Sequence, residues 1–126
     1  IIKNYMREVK MNNKPKYHLF KNTQYAMEGL IHALKTESSL RLEFIFAIFV
    51  IIGIVFIDVS LTQKMILLVT GIIVLITELL NSAIENVVDL VTLEFAPLAK
   101  AAKDIGAAAV MLSIVLHLVC WVLVLI

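Results

Sequence analysis

The chain has a single cysteine, Cys120, among its 126 residues, so no intrachain disulfide can form. It also lacks the loops by which many proteins hold phosphates. There is no Gly-x-x-x-x-Gly-Lys-Ser/Thr sequence and no kinase-type catalytic loop, so any nucleotide chemistry here needs an unconventional site. His18 and His32 have no metal-ligand spacing with the cysteine. No basic patch is interleaved with aromatics, which argues against nucleic acid as a partner. The N-terminus is polar and basic for about forty residues, with no short apolar core and small-residue cleavage site, so no cleaved signal peptide is expected. Met11, followed by Asn-Asn-Lys-Pro, is the expected start, which would leave residues 1–10 upstream.

What the chain does have is hydrophobicity. Apolar residues make up 61% of it and the mean hydropathy is +0.97, against about 45–50% apolar in a soluble domain. The expected class is an all-α integral membrane protein of one domain. Three spans are expected at about 40–57, 65–88 and 105–126, each near the length of roughly 20 residues that a bilayer requires. Asp58–Lys64 reads as a tight connection. Thr92–Asp104 reads as a longer loop carrying Glu94, Pro97, Lys100, Lys103 and Asp104. Ahead of the spans, residues 18–36 place Leu19, Phe20, Met27, Leu30, Ile31 and Leu34 on one arc and Lys21, Gln24, Glu28 and Lys35 opposite. That is the pattern of an amphipathic helix lying on the membrane surface. Thr36-Glu37-Ser38-Ser39 breaks it and offers Ser38 or Ser39 as the next N-cap.

Six of the eleven Lys/Arg, namely Lys3, Arg7, Lys10, Lys14, Lys16 and Lys21, fall in the first 21 residues. Residues 1–17, with Pro15, read as a basic leader held at an anionic membrane surface. With Lys100 and Lys103 on the same side, the positive-inside rule puts the N-terminus in the cytoplasm and the C-terminus outside.

The second span carries an anomaly. Measured from Glu78 at about 100° per residue, Asn81 lies at about −60°, Glu85 at about −20° and Asp89 at about +20°. Four polar groups thus share one stripe of a helix that is otherwise membrane-grade, and ionisable groups in a bilayer are costly enough to mark a site. Glu78 lies deepest, and its apolar surroundings suit a base that takes a proton from a hydroxyl. Glu85 and Asp89 lie nearer water, where carboxylates could bind Mg²⁺ together with nucleotide phosphates, or simply be solvated at headgroup level. Lys103, at the entrance to the third span, could contact phosphate with the free amides of a helix start, or anchor the interface. His117 and Trp121, one turn apart, read as packing residues.

The stretch Glu-x-x-Asn-Ser-Ala-Ile-Glu-x-Val-Val-Asp at Glu78–Asp89 and Ala-Lys-Asp-x-Gly-x-Ala-Ala-Val at Ala102–Val110 resemble the small prokaryotic integral-membrane diacylglycerol kinases, including their undecaprenol-kinase relatives. Gly29-Leu30 and the Glu37, Arg41, Glu43 spacing extend the resemblance. It implies a homotrimer in the bacterial inner membrane that transfers the γ-phosphoryl of MgATP to a lipid alcohol, with sites formed between subunits. It further implies Glu78 as general base, and Glu37 and Glu85 as Mg²⁺ ligands with Asn81 beside them. Tyr25, Glu37, Glu85, Glu94, Lys103 and Asp104 fall at nucleotide-contacting positions. Ser39, Leu40, Arg41, Leu42 and Glu43, with Ala107, fall on the lipid-substrate wall. The chain departs from the family at His18, where an arginine is common, and at Ala107, where a serine is usual. Glu94–Leu98 leans toward the undecaprenol branch, whereas Asn81-Ser82 and Lys103-Asp104-Ile-Gly lean toward diacylglycerol. Diacylglycerol is the expected substrate and undecaprenol the alternative. A small oligomeric proton-conducting protein is the alternative of another class, but it leaves Glu37, Glu85, Lys103 and Asp104 without a task.

Overall fold

Long uncharged runs leave the backbone one way to satisfy its polar groups inside lipid, the intrasegment hydrogen bonds of a helix. The computed structural model describes residues 18–126, which form four α-helices and no strand. These are α1 (Leu19–Thr36), α2 (Ser38–Phe56), α3 (Leu61–Val91) and α4 (Pro97–Leu125). The last three are long and apolar enough to cross a membrane. The basic leader of residues 1–17, with Pro15 and the alternative start at Met11, lies outside the described residues. Two compact units divide at His32 and Ala33; the second holds α2, α3, α4 and the last turn of α1.

The helix ends differ from the sequence expectation for identifiable reasons. Glu37, not Ser38 or Ser39, is the N-cap of α2, with extended backbone and no side-chain cap. The turn after α2 is only four residues long, because Ser60 already caps α3. Its hydroxyl accepts from the Gln63 amide while the Gln63 side chain accepts from the Ser60 N–H at 2.9 Å, a reciprocal capping box. Lys64 then reaches back to donate to the Val55 carbonyl at 2.9 Å, satisfying an orphan group at the end of α2. The expected loop 92–104 is much shorter. α4 starts at Pro97, where a proline is preorganised for the first helical position, and Lys100 and Asp104 pair one turn apart along it. Residues 97–104 are therefore helix rather than loop.

α2 is 19 residues long and α3 is 31, or about 28 Å and 46 Å. A short turn holds the end of α2 beside the start of α3, so the excess length of α3 extends at its C-terminal end. Glu78, seventeen residues into α3, stands about 26 Å along it.

α3 is the central element, with α4 packed on it most extensively and α2 also against it. The interior is unusually polar. Leu40, Ile54 and Leu67 are the buried apolar residues, whereas Thr70, Glu78, Asn81, Ser82 and Ser113 are also buried. In lipid the outer surface is as apolar as any core, so helices associate through close approach and polar contacts. Thr77 and Ser113 hydroxyls meet across α3 and α4 at 2.8 Å, and Thr70 Oγ1 meets His117 Nδ1 at 2.8 Å. Such contacts contribute about 0.6 kcal/mol each on average, so the value of the set lies in fixing rotation as much as in stability.

Candidate active site

Helical periodicity brings the polar stripe of α3 to one face, and the structure turns that face inward. Glu78 and Asn81 are each 9% exposed and Ser82 only 4%, while Glu85 is half-buried. Glu85 Oε1 accepts from Asn81 Nδ2 at 3.1 Å, one turn away. Ser82 was not singled out by sequence, although at about +40° from Glu78 it belongs to the same stripe. Its hydroxyl donates to Glu37 Oε2 at 2.5 Å. That bond explains why the Glu37 side chain makes no cap bond to α2: its carboxylate is drawn across to α3.

Glu43, one helical turn and a half further along α2, comes within hydrogen-bond reach of Glu78. The charges of Glu43, Glu85 and Glu37 all bear on Glu78. The carboxyl groups of Glu37 and Glu43, at the start of α2, and of Glu78 and Glu85, on α3, therefore share one electrostatic neighbourhood. None of the four has an ion-pair partner among the described residues. Arg41, two residues from Glu43, is committed elsewhere, donating through Nη1 to the Leu34 and Lys35 carbonyls at 2.9 and 3.0 Å. Such an uncompensated cluster attracts cations.

α4 supplies the positive charge. Lys103 Nζ donates to Asp89 Oδ1 at 2.6 Å, which gives Asp89, the one member of the stripe without a role in the sequence reading, a structural partner. Asp104 instead accepts from Lys100. Lys103 and Asp104 are thus neighbours in sequence that turn to different partners. The Lys103–Asp89 pair is well exposed, with side chains 38% and 47% accessible, so its stability contribution is about 0–1 kcal/mol.

Gly106 of α4 is buried against Asn81. A Cβ built there would run into Asn81 Oδ1 at a separation that real Cβ atoms do not adopt. Asn81 Oδ1 is buried without a hydrogen-bond donor, because its amide is oriented by Glu85 and its oxygen is left facing the glycine backbone. No sequence period signals this contact; the small-residue run 106–109 hinted at close helix approach without naming the partner.

The remaining expected residues are placed as follows. Tyr25 lies on α1 in the N-terminal unit and is 42% exposed. Glu94 is exposed in the 92–96 connection, its backbone N–H bonded to Thr92 Oγ1 at 3.1 Å. In the first turns of α2, Leu40 is fully buried while Ser39, Arg41 and Leu42 are exposed, and Ala107 is exposed on α4. Among the described residues no three His, Cys, Asp or Glu side chains converge to cage a metal ion. Glu37 and Glu85, each bonded to one of two consecutive residues of α3, offer carboxylate oxygens, the ligand type of Mg²⁺, which commonly takes one or two carboxylates and completes its shell with water and phosphate oxygens.

Fold and site together define an all-helical protein with three helices fit to cross a membrane and a carboxylate-rich site between the first two of them. Residues 24–125 match the family model for prokaryotic diacylglycerol kinase. The diacylglycerol kinase of Escherichia coli (strain K12) is 33% identical over 107 residues, 85% of this chain and 88% of that protein. That of Pseudomonas aeruginosa (strain PAO1) is 38% identical over 104 residues, 82% of this chain and 84% of that protein. The diacylglycerol kinase of Helicobacter pylori (strain 26695) is 34% identical over 103 residues, 82% of this chain and 80% of that protein. The chain belongs to the prokaryotic diacylglycerol kinase family.

Proposed function

We propose that this protein transfers the γ-phosphoryl group of ATP to the hydroxyl of diacylglycerol, giving phosphatidic acid, within the bacterial inner membrane. The observation that carries this reading is Glu78, buried in α3 with the carboxylates of Glu43, Glu85 and Glu37 close enough to act on it. A base on a helix that crosses the membrane can meet the hydroxyl of a lipid that remains in its leaflet. In this reading Glu78 accepts the hydroxyl proton as the oxygen attacks. Glu37 and Glu85 would hold Mg²⁺, which when bound would supply neutralisation of the charge on the transferred group. Asn81 keeps Glu85 in position, and Lys103 leaves Asp89 for a phosphate oxygen. Phosphoryl transfer depends mainly on positioning and charge, which such a set provides.

Tyr25, Glu94 and Asp104 would complete the nucleotide site, and Ser39–Glu43 with Ala107 the lipid wall. α1 would lie on the cytoplasmic surface as an amphipathic helix, with the N-terminus inside and the C-terminus outside. The chain would work as a homotrimer whose sites draw on neighbouring subunits, which allows so short a chain to hold two substrates.

Purified protein in detergent, given labelled ATP and Mg²⁺ with diacylglycerol or undecaprenol, is expected to label diacylglycerol with the larger kcat/KM. A preference for undecaprenol would move the substrate, and absence of any labelled lipid would sink the kinase reading. Glu85→Gln is expected to raise the Mg²⁺ concentration needed for half-maximal nucleotide binding by about tenfold or more, the scale of losing one charged ligand contact of about 1.5–3 kcal/mol. An unaltered Mg²⁺ dependence would remove Glu85 from the metal site.

A further inference from the structure

An ionisable side chain on a spanning helix is costly enough to need a reason, and the carboxylate site gives none for His117 of α4. The ring sits between α3 and α4 in a closed hydrogen-bond circuit. Trp121 Nε1, which can only donate, bonds to His117 Nε2 at 3.0 Å, and the two rings meet edge to face at 6.2 Å between centroids. Nε2 therefore carries no proton, and the neutral ring holds its single proton on Nδ1. Nδ1 donates across to buried Thr70 Oγ1 of α3 at 2.8 Å, and the Thr70 hydroxyl donates in turn to the Ile66 carbonyl at 2.9 Å. The ring edge lies against Gly71, with Cε1 3.3 Å from the position of a built Cβ.

Every donor and acceptor in this circuit is assigned, and the assignment holds for one protonation state only. A second proton on the ring would sit on Nε2 and face the indole N–H, donor against donor, so Trp121 or the ring must move. No counter-charge stands nearby to hold the charged form in place. On α3 no charged residue lies between Lys64 and Glu78, and on α2 none lies between Glu43 and Asp58. Glu43 is the one titratable residue of α2 that lines the same cleft as His117. It belongs to the level of Glu78, seven residues or about 11 Å along α3 from Gly71. On α4 itself the other titratable side chain beyond Asp104 is Cys120.

The circuit is one end of a seam that reaches the carboxylate site. On α3, Thr70, Thr77 and Asn81 fall within an arc of about 40°, and on α4 so do His117, Ser113 and Gly106. Thr77 meets Ser113 at 2.8 Å, and Gly106 lies against Asn81, whose amide holds Glu85. We propose that His117 is a positioning residue that locks α4 onto α3 when neutral and releases it when protonated, so that acid loosens Gly106 from Asn81 and Asn81 from Glu85. The effect on turnover rests on the lipid-kinase reading; the lock itself does not.

Trp121 is the chain's one tryptophan, so its emission reports the lock in the unaltered protein. A reversible one-proton transition is expected between about pH 8 and about pH 5. His117→Gln should abolish it, because that amide can accept from Trp121 and donate to Thr70 without titrating. A flat emission profile in the unaltered protein, or the same transition in His117→Gln, overturns the lock. The ratio of kcat at about pH 7.5 to kcat at about pH 5.5 should be larger for the unaltered protein than for His117→Gln by about threefold or more; equal ratios overturn the coupling to the site. Thr70→Val removes the α3 half of the lock. It should show the acid-level kcat already at the higher pH while Trp121 emission still titrates, and an unaltered kcat there would exclude Thr70 from the lock. If the unaltered protein phosphorylates no lipid, the kinase reading fails instead. The lock is then judged by melting curves, where acid should lower the unfolding temperature of the unaltered protein more than that of His117→Gln, and equal shifts overturn it.

Discussion

Glu78→Gln is expected to lower kcat by about 10²- to 10⁴-fold, the range lost when a general base is removed, while MgATP still binds. Gln keeps the shape of the side chain and its place on α3 but cannot accept a proton from a lipid hydroxyl. The fold should not suffer. Glu78 is 9% exposed and lies among Glu43, Glu85 and Glu37, so the substitution removes a like charge from a crowded set and gives Glu43 an amide donor. Thermal unfolding is therefore expected at the same temperature or higher. The checks are labelled phosphate incorporation into lipid, nucleotide binding at equilibrium and a melting curve on one preparation. Turnover near that of the unaltered protein would exclude Glu78 as the base, and loss of nucleotide binding would move it into the nucleotide site.

Gly106→Val acts through packing alone and is expected to have the second largest effect. A Cβ at this position collides with Asn81 Oδ1, and Asn81 cannot withdraw without giving up its bond to Glu85. Either α4 moves away from α3, or Asn81 rotates and releases Glu85. Overpacking of this kind costs about 1–3 kcal/mol, and a displaced site residue costs on the order of 10²-fold in turnover. Gly53→Ala is the contrasting control. A Cβ there meets nothing within 4 Å, so it should not destabilise, and relief of a helix-interior glycine should stabilise by about 0.5–1 kcal/mol. The collision predicts a specific coupling: in a double-mutant cycle of Gly106→Ala and Asn81→Ala, the stability losses should be less than additive. Strict additivity would mean that the clash is not with Asn81.

Some of this was legible in the residues and some was not, for different physical reasons. The three long helices follow from uncharged runs, because lipid admits no other arrangement of a spanning backbone. The polar stripe follows from the 3.6-residue period, and Ser82 could have been added to it by the same arithmetic. The Ser60–Gln63 capping box was also present in the sequence and would have shortened the expected 58–64 turn. Residues 97–104 carry the charges of a loop but form the first turns of a helix, because Pro97 is preorganised for its first position. Charge marks contact with water, not absence of helix.

Sequence by itself determined the elements of this protein, the depth of Glu78 in the second long helix and, through its motifs, the family. Only the tertiary structure decided which polar groups meet: Glu78 with Glu43, Glu37 with Ser82, Lys103 with Asp89 rather than with Asp104, and Gly106 with Asn81. The period of a helix dictates neighbours three and four residues apart. Contacts between helices depend instead on their rotation and axial offset. Those are set here by a few interlocking contacts, such as Leu40 and Leu67 in the interior and His117 against Gly71, and such contacts carry no local period along the chain.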